Sequence, residues 1–308
     1  MGGTGMYKVQ RDEGFAKFLW NSETKQFLGR TGTSWCKIGV FYVVFYSCLA
    51  GFFAAMLAVF YQTLDTEHMP TYIPGDGGSI LKNPAMGYRP SPQLDNIEST
   101  LIWYRNGEAD SISHWVKSLS DFIEPYEGTQ GTNIECSDDK RPGNKEVCKF
   151  MDTWLKGNCT KGNSWGYASG SPCIFLKLNK MIGWVPDLYE TIDELPDDMS
   201  ADLKNYITEQ TKLNGNVMPK MIWVSCEGEN PSDEEYIGIR KYSPWQGFPS
   251  YYFPFNNVPG YLSPIVAVEF ESTKPNVLIN IECRAWARNI VYDRANRFGL
   301  VSFQILRD

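Results

Sequence analysis

The sequence has 308 residues, and its 36 acidic side chains outnumber the 29 basic ones, which gives a formal net charge of −7 at pH 7. This balance argues against nucleic acid as a partner, because phosphates attract clusters of Lys and Arg. The chain has two His residues and no Cys-x-x-Cys spacing. A structural zinc site is therefore also disfavoured, since such sites use closely paired ligands.

Residues 38–64 form an apolar run without a charged side chain. As a helix rising ~1.5 Å per residue it would be ~40 Å long, enough to cross a ~30 Å hydrocarbon layer with some tilt. It starts too late and is too long for a cleaved signal peptide. We therefore expect an uncleaved signal anchor at 38–64, a tail at 1–37 and a large domain at 65–308.

The charges beside this run predict its orientation. Residues 1–37 carry six basic and three acidic side chains, and Asp65 and Glu67 open the other side. By the positive-inside rule the N-terminus is cytoplasmic, so residues 65–308 should be extracellular.

Two rows of side chains follow the predicted membrane helix. One row contains Tyr42, Tyr46, Leu49 and Phe53. The other contains the small residues Ser47, Gly51 and Ala55, which permit close approach of a second helix. The rows lie ~140° apart at ~100° per residue, so two faces could meet two partners, although lipid-facing filler explains either row as well. A lone helix without ionisable groups offers no ion path.

The cysteines support an oxidising environment for the large domain. Cys36 and Cys48 lie at or within the apolar run, and an even number follows it: Cys136, Cys148, Cys159, Cys173, Cys226 and Cys283. Six cysteines allow 15 pairings. Loop proximity favours Cys136 with Cys148 and Cys159 with Cys173, which leaves Cys226 for Cys283.

One glycosylation acceptor fits the same location. Asn158-Cys159-Thr160 is a valid sequon, whereas Asn230 is followed by Pro. We expect an N-linked glycan at Asn158.

The large domain is predicted to be mainly β-structure. Residues 277–285 alternate between apolar and polar positions, which is typical of a half-buried strand and turns Cys283 inward. Similar runs predict strands at 173–178, 221–226, 264–270 and 300–306. If Cys226 and Cys283 both face a core, their bond would join two strands across a sandwich.

One segment has helical spacing instead. Ile112, Trp115, Leu119 and Ile123 recur at intervals of three and four, which predicts an amphipathic helix with Ser111 or Ser113 as N-cap. Residues 65–95 and 128–147 are rich in Gly, Pro and polar side chains and are predicted to be a stalk and a loop.

Catalytic patterns are missing from the sequence. His68 and His114 are isolated, and there is no G-x-S-x-G, H-E-x-x-H or P-loop motif. Seven carboxylates between Asp187 and Asp202 lack the pattern of a calcium loop and are interpreted as a solvated loop or helix end. We expect no enzyme activity, metal or cofactor.

Residues 244–255 are unusually aromatic, with six rings in twelve positions. Three prolines in this segment discourage a regular helix or central strand. The rings are therefore candidates for interface anchors, and a loop folded over the sandwich edge is the alternative.

Together these residues resemble one known family, the β subunits of the animal Na⁺/K⁺-transporting P-type ATPase. The resemblance begins before the membrane run with Trp20-Asn21-Ser22-Glu23, Phe27-Leu28-Gly29-Arg30-Thr31-Gly32 and Ser34-Trp35, and continues inside it with Phe41-Tyr42 and Phe45-Tyr46. In the large domain it rests on Trp154-Leu155, Gly157-Asn158-Cys159, Pro172-Cys173, Leu178-Asn179-Lys180, Tyr251-Tyr252 and Glu282-Cys283-Arg284.

The resemblance implies a non-catalytic subunit of the plasma membrane whose ectodomain is an immunoglobulin-like β-sandwich. Such subunits escort the catalytic α subunit from the endoplasmic reticulum and modulate potassium occlusion, while ATP hydrolysis belongs to the α subunit. A small single-span regulatory subunit can accompany the pair. By resemblance, the tyrosine face would pack on the seventh and tenth membrane helices of the α subunit, and the Tyr251-Tyr252 region near its outer loop between helices seven and eight. The implied contacts are Tyr42, Phe45, Tyr46, Phe53, Tyr251, Tyr252, Phe253, Pro254 and Phe255.

Two departures from the family pattern matter. Other members have Tyr-Tyr-Pro-Tyr-Tyr where this chain has Tyr251-Tyr252-Phe253-Pro254-Phe255, so the hydroxyls of the last two family positions are missing here. Many vertebrate members also carry several sequons, whereas this chain has one, at Asn158.

The rival interpretations are the related gastric H⁺/K⁺ pump β subunit, a type II adhesion receptor that acts without a pump, and a type II enzyme.

Overall fold

The computed structural model describes residues 19–22, 24–64, 83–92, 98–127, 133–143 and 145–308. The chain divides into two compact units, Met1–Asp65 and Thr66–Asp308. The predicted class is confirmed: one apolar N-terminal helix and a mainly β domain with three disulfides.

The N-terminal unit contains a small sheet and a long helix. Three two-residue strands, β1 (Trp20–Asn21), β2 (Gln26–Phe27) and β3 (Arg30–Thr31), pair antiparallel in that order. Helix α1 (Gly32–Thr63) follows directly, so it begins six residues before the uncharged run. Among the described residues, α1 is the one helix whose length and apolar composition suit a membrane span.

The C-terminal unit is built on two sheets. The four-stranded sheet has the order β4-β6-β10-β8, and the five-stranded sheet has the order β5-β12-β11-β7-β9. Their strands are β4 (Met86–Arg89), β5 (Leu101–Tyr104), β6 (Cys173–Leu178), β7 (Met221–Gly228), β8 (Ile239–Ser243), β9 (Gly247–Pro249), β10 (Val266–Glu271), β11 (Leu278–Trp286) and β12 (Leu300–Arg307). Three helices accompany them: α2 (Ala109–Ile123), α3 (Ala201–Leu213) and α4 (Pro231–Tyr236).

The main core lies between the two sheets. Phe303 of β12 is fully buried, and its ring centroid lies 5.0 Å from that of Tyr88 on β4 and 6.1 Å from that of Phe270 on β10. Strands of both sheets thus contribute to one apolar cluster. Burying a side chain of this size stabilises the fold by roughly 1.5–3 kcal/mol.

Helix α2 fits the predicted periodicity, with Trp115, Leu119 and Ile123 buried. The predicted N-cap is wrong, because the helix begins at Ala109 and the hydroxyl of Ser111 accepts the backbone N–H of Arg105 instead. The helix also protects the sheet edge, since the indole N–H of Trp115 donates to the carbonyl of Trp103 on edge strand β5 (2.9 Å).

Two helices were not anticipated, α3 and α4, whereas the sequence predicted one. Helix α3 buries Leu203 and Ile207 in a second apolar cluster with Trp223 and Trp286, which are paired across β7 and β11. The five-stranded sheet is therefore covered on both faces. Strand β4 lies in the segment 65–95, which was predicted to be a stalk and whose residues 65–82 and 93–95 fall outside the described ones. In the predicted loop 128–147, residues 128–132 and 144 are likewise outside, and Ile134 forms an isolated bridge with Cys148.

The disulfides have the pairs that loop proximity favoured: Cys136–Cys148, Cys159–Cys173 and Cys226–Cys283. The expected role of the last pair is wrong, however. Cys226 on β7 and Cys283 on β11 are register partners within the five-stranded sheet, so their bond does not cross the sandwich. Both are buried, as the alternation in β11 predicted for Cys283.

Candidate partner-binding surfaces

Helix α1 presents its side chains outward along its whole length, and none of its residues is buried. The rings of Tyr42 and Tyr46 stack with centroids 5.9 Å apart and an interplanar angle of 20°. This spacing of four residues is the one that brings side chains together on a helix. The predicted tyrosine face therefore exists as a preformed pair of rings with free outer surfaces.

The aromatic surface of α1 is wider than one face. Phe41 and Phe45 form a second stacked pair at 6.1 Å, and Phe45 meets Tyr46 edge to face at 5.4 Å. Farther along, apart from the backbone of α1 itself, no heavy atom of the described residues lies within 4 Å of a Cβ built on Gly51, so the row of small residues is open at this position. These surfaces suit close helix packing in a membrane.

The aromatic segment 244–255 is largely part of its own domain. Phe248 is fully buried, Tyr252 is 2% exposed and Phe255 is 8% exposed, whereas Tyr251 and Phe253 are half-buried. Strand β9 places Phe248 opposite Ile222 of β7, and the peptide bonds before Pro244 and Pro254 are cis. Of the predicted contacts in this segment, Tyr251, Phe253 and Pro254 retain accessible surface.

A ring cluster holds the segment in place. Phe150 is fully buried and has Tyr126, Trp154, Trp245 and Tyr252 around it, with centroids 5.4–6.4 Å away. The hydroxyl of Tyr252 donates to the carbonyl of Lys149 at 2.6 Å. The interpretation as a loop folded over the sandwich edge therefore describes most of these rings.

The hydroxyls of Tyr251 and Tyr252 lie in surroundings that raise their pKa values. Burial raises the pKa of Tyr251 to about 12, and the nearby Asp138 carboxylate acts in the same direction. Burial also raises the pKa of Tyr252, with smaller contributions from neighbouring tyrosines. Both hydroxyls thus stay protonated at neutral pH and act as hydrogen-bonding groups.

The two Phe residues at the end of this segment, Phe253 and Phe255, stand where the family has Pro and Tyr, and neighbouring rings pack against both. Phe253 meets Trp184 edge to face at 5.7 Å, and Phe255 lies 4.9 Å from the ring of Tyr261. The ammonium group of Lys180 lies 5.1 Å from the Phe255 centroid, a cation–π distance. A groove beside these residues runs between Tyr252–Pro254 and residues 141–143 and 146–148.

The sequon residue Asn158 is half-buried and already has a partner. Its side-chain amide donates to Oε1 of the buried Glu269 at 2.5 Å, and its backbone N–H donates to Oε2 at 3.3 Å. A glycosylated amide nitrogen keeps one hydrogen, so this contact and an attached glycan are chemically compatible.

The acidic segment meets arginines of β11 and the chain beyond it. Arg288 lies 3.2 Å from Asp187 and 3.6 Å from Glu194, and Arg284 lies 3.6 Å from Asp198. These three carboxylates therefore have cationic partners within the chain. No group of three His, Cys, Asp or Glu side chains suited to a metal occurs among the described residues.

The histidines show no catalytic arrangement in the described part of the chain. Nε2 of His114 lies 3.1 Å from the carbonyl of Ser91, and its ring meets Trp115 edge to face. His68 is outside the described residues.

Sequence reasoning missed a buried carboxylate on β11. Glu282 is 4% exposed although the alternation placed it on the solvent face. It accepts hydrogen bonds from Arg284 (2.8 Å), Arg294 (2.9 Å) and the hydroxyl of Tyr292 (3.0 Å). The chain after β11 folds back over this face, which no local pattern reveals.

Known proteins are similar to this chain along most of its length. Residues 7–303 match the family model described as sodium/potassium ATPase beta chain. The Drosophila melanogaster sodium/potassium-transporting ATPase subunit beta-2 is 45% identical, over 95% of this chain and 91% of that protein. Subunit beta-1 of the ray Tetronarce californica is 31% identical over 92% of each. Human subunit beta-2 is 31% identical, over 95% of this chain and 93% of that protein. By these matches the chain belongs to the sodium/potassium ATPase beta chain family.

Proposed function

We propose that this chain is the non-catalytic β subunit of a sodium/potassium pump. It would assemble with the catalytic α subunit, support its exit from the endoplasmic reticulum and its delivery to the plasma membrane, and modulate potassium binding and occlusion. The observation that carries this proposal is the family match across nearly the whole chain. Three relatives with sodium/potassium pump names support this pump over the proton/potassium pump.

The proposed topology is type II, with a cytoplasmic N-terminus and an extracellular C-terminal unit. The family is membrane-bound through one apolar helix, and α1 has that character. The excess of basic side chains before the helix and the disulfides after it support this orientation. An N-linked glycan on Asn158 would follow from the same location.

The proposed contact with the α subunit has two parts. In the membrane it uses Tyr42, Phe45, Tyr46 and Phe53 of α1. Outside, it uses the accessible edge of the aromatic segment at Tyr251, Phe253 and Pro254, with Tyr252 and Phe255 supporting that edge from within the core. Different contact with different pump states would bias the α subunit between conformations, because a ligand shifts an equilibrium only through differential affinity.

Co-purification tests this function directly. The full chain carrying a C-terminal affinity tag is expressed with candidate α subunits and extracted in mild detergent. We expect a stable complex with potassium-dependent ATPase activity, and surface delivery of the α subunit only when this chain is present. A chain that purifies alone and stable, with α delivery unchanged, would refute the proposal and favour an adhesion receptor.

A further inference from the structure

The small sheet before α1, described at residues 19–22 and 24–31, forms a structure that we call the collar. Its register places Trp20 opposite Phe27, and Phe27 opposite Arg30. Directly opposed residues of antiparallel strands share a face, so these three side chains form one row across the sheet. The polar residues form the row on the other face: Asn21, Gln26 and Thr31. The collar is therefore an amphipathic sheet.

The collar is tied to the first turn of α1. The indole N–H of Trp35 donates to the carbonyl of Phe27 at 2.9 Å, and the two rings lie 6.2 Å apart. The turn between β2 and β3 has positive φ at both central residues, Leu28 (50°) and Gly29 (73°), which is the turn type that matches the twist of a two-stranded hairpin. The aromatic row is thus fixed at the N-terminal end of the helix.

This face exposes apolar surface next to positive charge. Trp20 is 58% exposed, Phe27 48% and Trp35 38%. Arg30 lies in the same row, and Lys25 and Lys37 are close to it in the sequence, whereas the sequence from 19 to 37 contains one acidic residue, Glu23. Exposed Trp and Phe beside Lys and Arg are typical of a surface that meets the membrane interface.

The distance between the collar and the apolar run 38–64 is consistent with a collar at the membrane interface. A bilayer has a hydrocarbon core of ~30 Å within a total of ~40–45 Å, so each headgroup layer is roughly 5–8 Å thick. Residues 32–37 separate the collar from the uncharged run and rise ~9 Å as a helix. Trp35 lies only ~4.5 Å along the axis from residue 38, and Phe27 packs on it.

We propose that the aromatic face of the collar binds anionic phospholipid in the leaflet at the N-terminal end of α1. The rings of Trp20, Phe27 and Trp35 lie at the boundary of headgroups and acyl chains, and the Arg30 guanidinium pairs with lipid phosphate or carboxylate. Lipid is favoured over a protein partner because the collar is continuous with the membrane helix and its charge is opposite to that of an anionic leaflet. The inference needs only that α1 spans a membrane, and it holds or fails independently of the pump function.

Two neighbouring positions on opposite faces provide the test. In the full chain, Cys36→Ser and Cys48→Ser remove both free thiols, and the remaining six cysteines are disulfide-bonded and do not react with the label. On this background, either Trp20→Cys or Asn21→Cys is labelled with bimane, which is itself an aromatic probe. The chain is placed in nanodiscs of phosphatidylcholine alone or with phosphatidylserine. Nitroxide-labelled lipid reports contact with the bilayer, and iodide reports contact with water.

We expect lipid nitroxide to quench the probe at position 20 several-fold more than the probe at 21, and iodide to show the reverse order. Spin-labelled phosphatidylserine should quench position 20 more than spin-labelled phosphatidylcholine does. Arg30→Gln should remove that preference, and Arg105→Gln in the C-terminal unit should leave it unchanged. Probes at Gln26→Cys and Thr31→Cys keep all the rings and should match position 21.

Three outcomes would overturn the inference. Equal lipid quenching at positions 20 and 21 would mean that the sheet has no membrane face. Iodide access at position 20 would place that face in water. Protection of position 20 from both quenchers in the nanodisc would mean that the face is covered by protein, not by lipid.

Discussion

Cys226 and Cys283 lie directly opposite each other on the neighbouring antiparallel strands β7 and β11, with Cα atoms 4.0 Å apart. Their disulfide therefore reinforces a ladder that backbone hydrogen bonds already hold, and it closes a loop of 57 residues between the strands. The two sheets of the sandwich are held together by side-chain packing at residues such as Phe303 and Phe270.

Removal of this disulfide should cost more stability than removal of the Cys136–Cys148 bond. The chain-entropy model gives about 4 kcal/mol for the longer loop and about 3 kcal/mol for the loop of 12 residues. We expect the full chain with Cys226→Ala and Cys283→Ala to unfold at lower denaturant concentration than the full chain with Cys136→Ala and Cys148→Ala. Equal midpoints with equal slopes would contradict the order.

The difference between the predicted and observed roles of this disulfide shows which features of the fold can be predicted from the sequence. Alternation along β11 predicts that Cys283 faces inward, because strand periodicity is a local property. The partner strand depends on which strands become neighbours, and no local pattern contains that information. Strand pairing is decided by the whole domain.

The missed elements have related causes. Helix α3 buries Leu203, Ile207 and Thr211 at intervals of four, but the third of these is polar, as are most of its other side chains, so its apolar stripe is short and weak. The helix can be inferred only once Trp223 and Trp286 are known to lie together on the outer face of the sheet, where its apolar side chains pack against them. The collar strands have two residues each and show no period at all.

Glu282 should make stability depend on pH. Burial opposes its ionisation, but hydrogen bonds from Arg284, Arg294 and Tyr292 outweigh burial and hold the pKa of the carboxyl below its usual value. A lowered folded-state pKa stabilises the fold above the unfolded pKa, and this stabilisation is lost as pH falls through the folded value. Glu282→Gln should therefore lower the free energy of unfolding by about 1.5–3 kcal/mol at pH 7, with a smaller difference below about pH 4.

A matched control for this change is Glu108→Gln. Glu108 pairs with Arg105 at 3.3 Å, and both side chains are about half exposed, so the effect should stay within about 1 kcal/mol. Denaturant titrations at several pH values measure both variants. A difference between wild type and Glu282→Gln that does not change with pH would argue against an ionised Glu282.

Two substitutions at the sequon should separate its glycan from its hydrogen bond. Thr160→Ala destroys the acceptor sequence and leaves the amide of Asn158 free to donate to Glu269, whereas Asn158→Gln removes both. We expect both variants to migrate faster than wild type on a gel, like wild type treated with a peptide N-glycosidase.

Only Asn158→Gln should show a further loss of stability, of about 1.5–3 kcal/mol, because it disturbs the bonds to a buried carboxylate. Thermal unfolding of the two deglycosylated variants measures the difference. Identical melting temperatures would mean that the Asn158 amide contributes nothing to the fold.

The neighbours Tyr251 and Tyr252 should have different roles. Tyr252→Phe removes the hydroxyl that donates to the Lys149 carbonyl, so it should lower the free energy of unfolding by about 0.5–1.5 kcal/mol and leave partner binding intact. Tyr251→Ala should reduce retention of the α subunit, because Tyr251 lies on the accessible edge. Retention and unfolding are measured on the same preparations, and an α-subunit loss confined to Tyr252→Phe would reverse the assignment.

The stacked pair Tyr42 and Tyr46 should control association within the membrane. Replacing both with Leu keeps the helix apolar but removes the rings that form the tyrosine face. If each ring contributes about 1 kcal/mol or more, α-subunit retention in detergent should fall roughly tenfold or more. Tyr42→Phe with Tyr46→Phe keeps the rings, so it shows whether the hydroxyls contribute.

The control for this change is Phe41→Leu with Phe52→Leu. Phe41 and Phe52 lie roughly 80–100° around the helix from Tyr42, and each loses a ring of the same size. Retention that falls only in the tyrosine double variant assigns docking to that face. If both double variants behave like wild type, the contact surface lies elsewhere on α1, and the open row at Ser47, Gly51 and Ala55 becomes the next face to test. Gly51→Leu is the most obstructive change there, because among the described residues no atom beyond the backbone of α1 occupies the space that its side chain would fill.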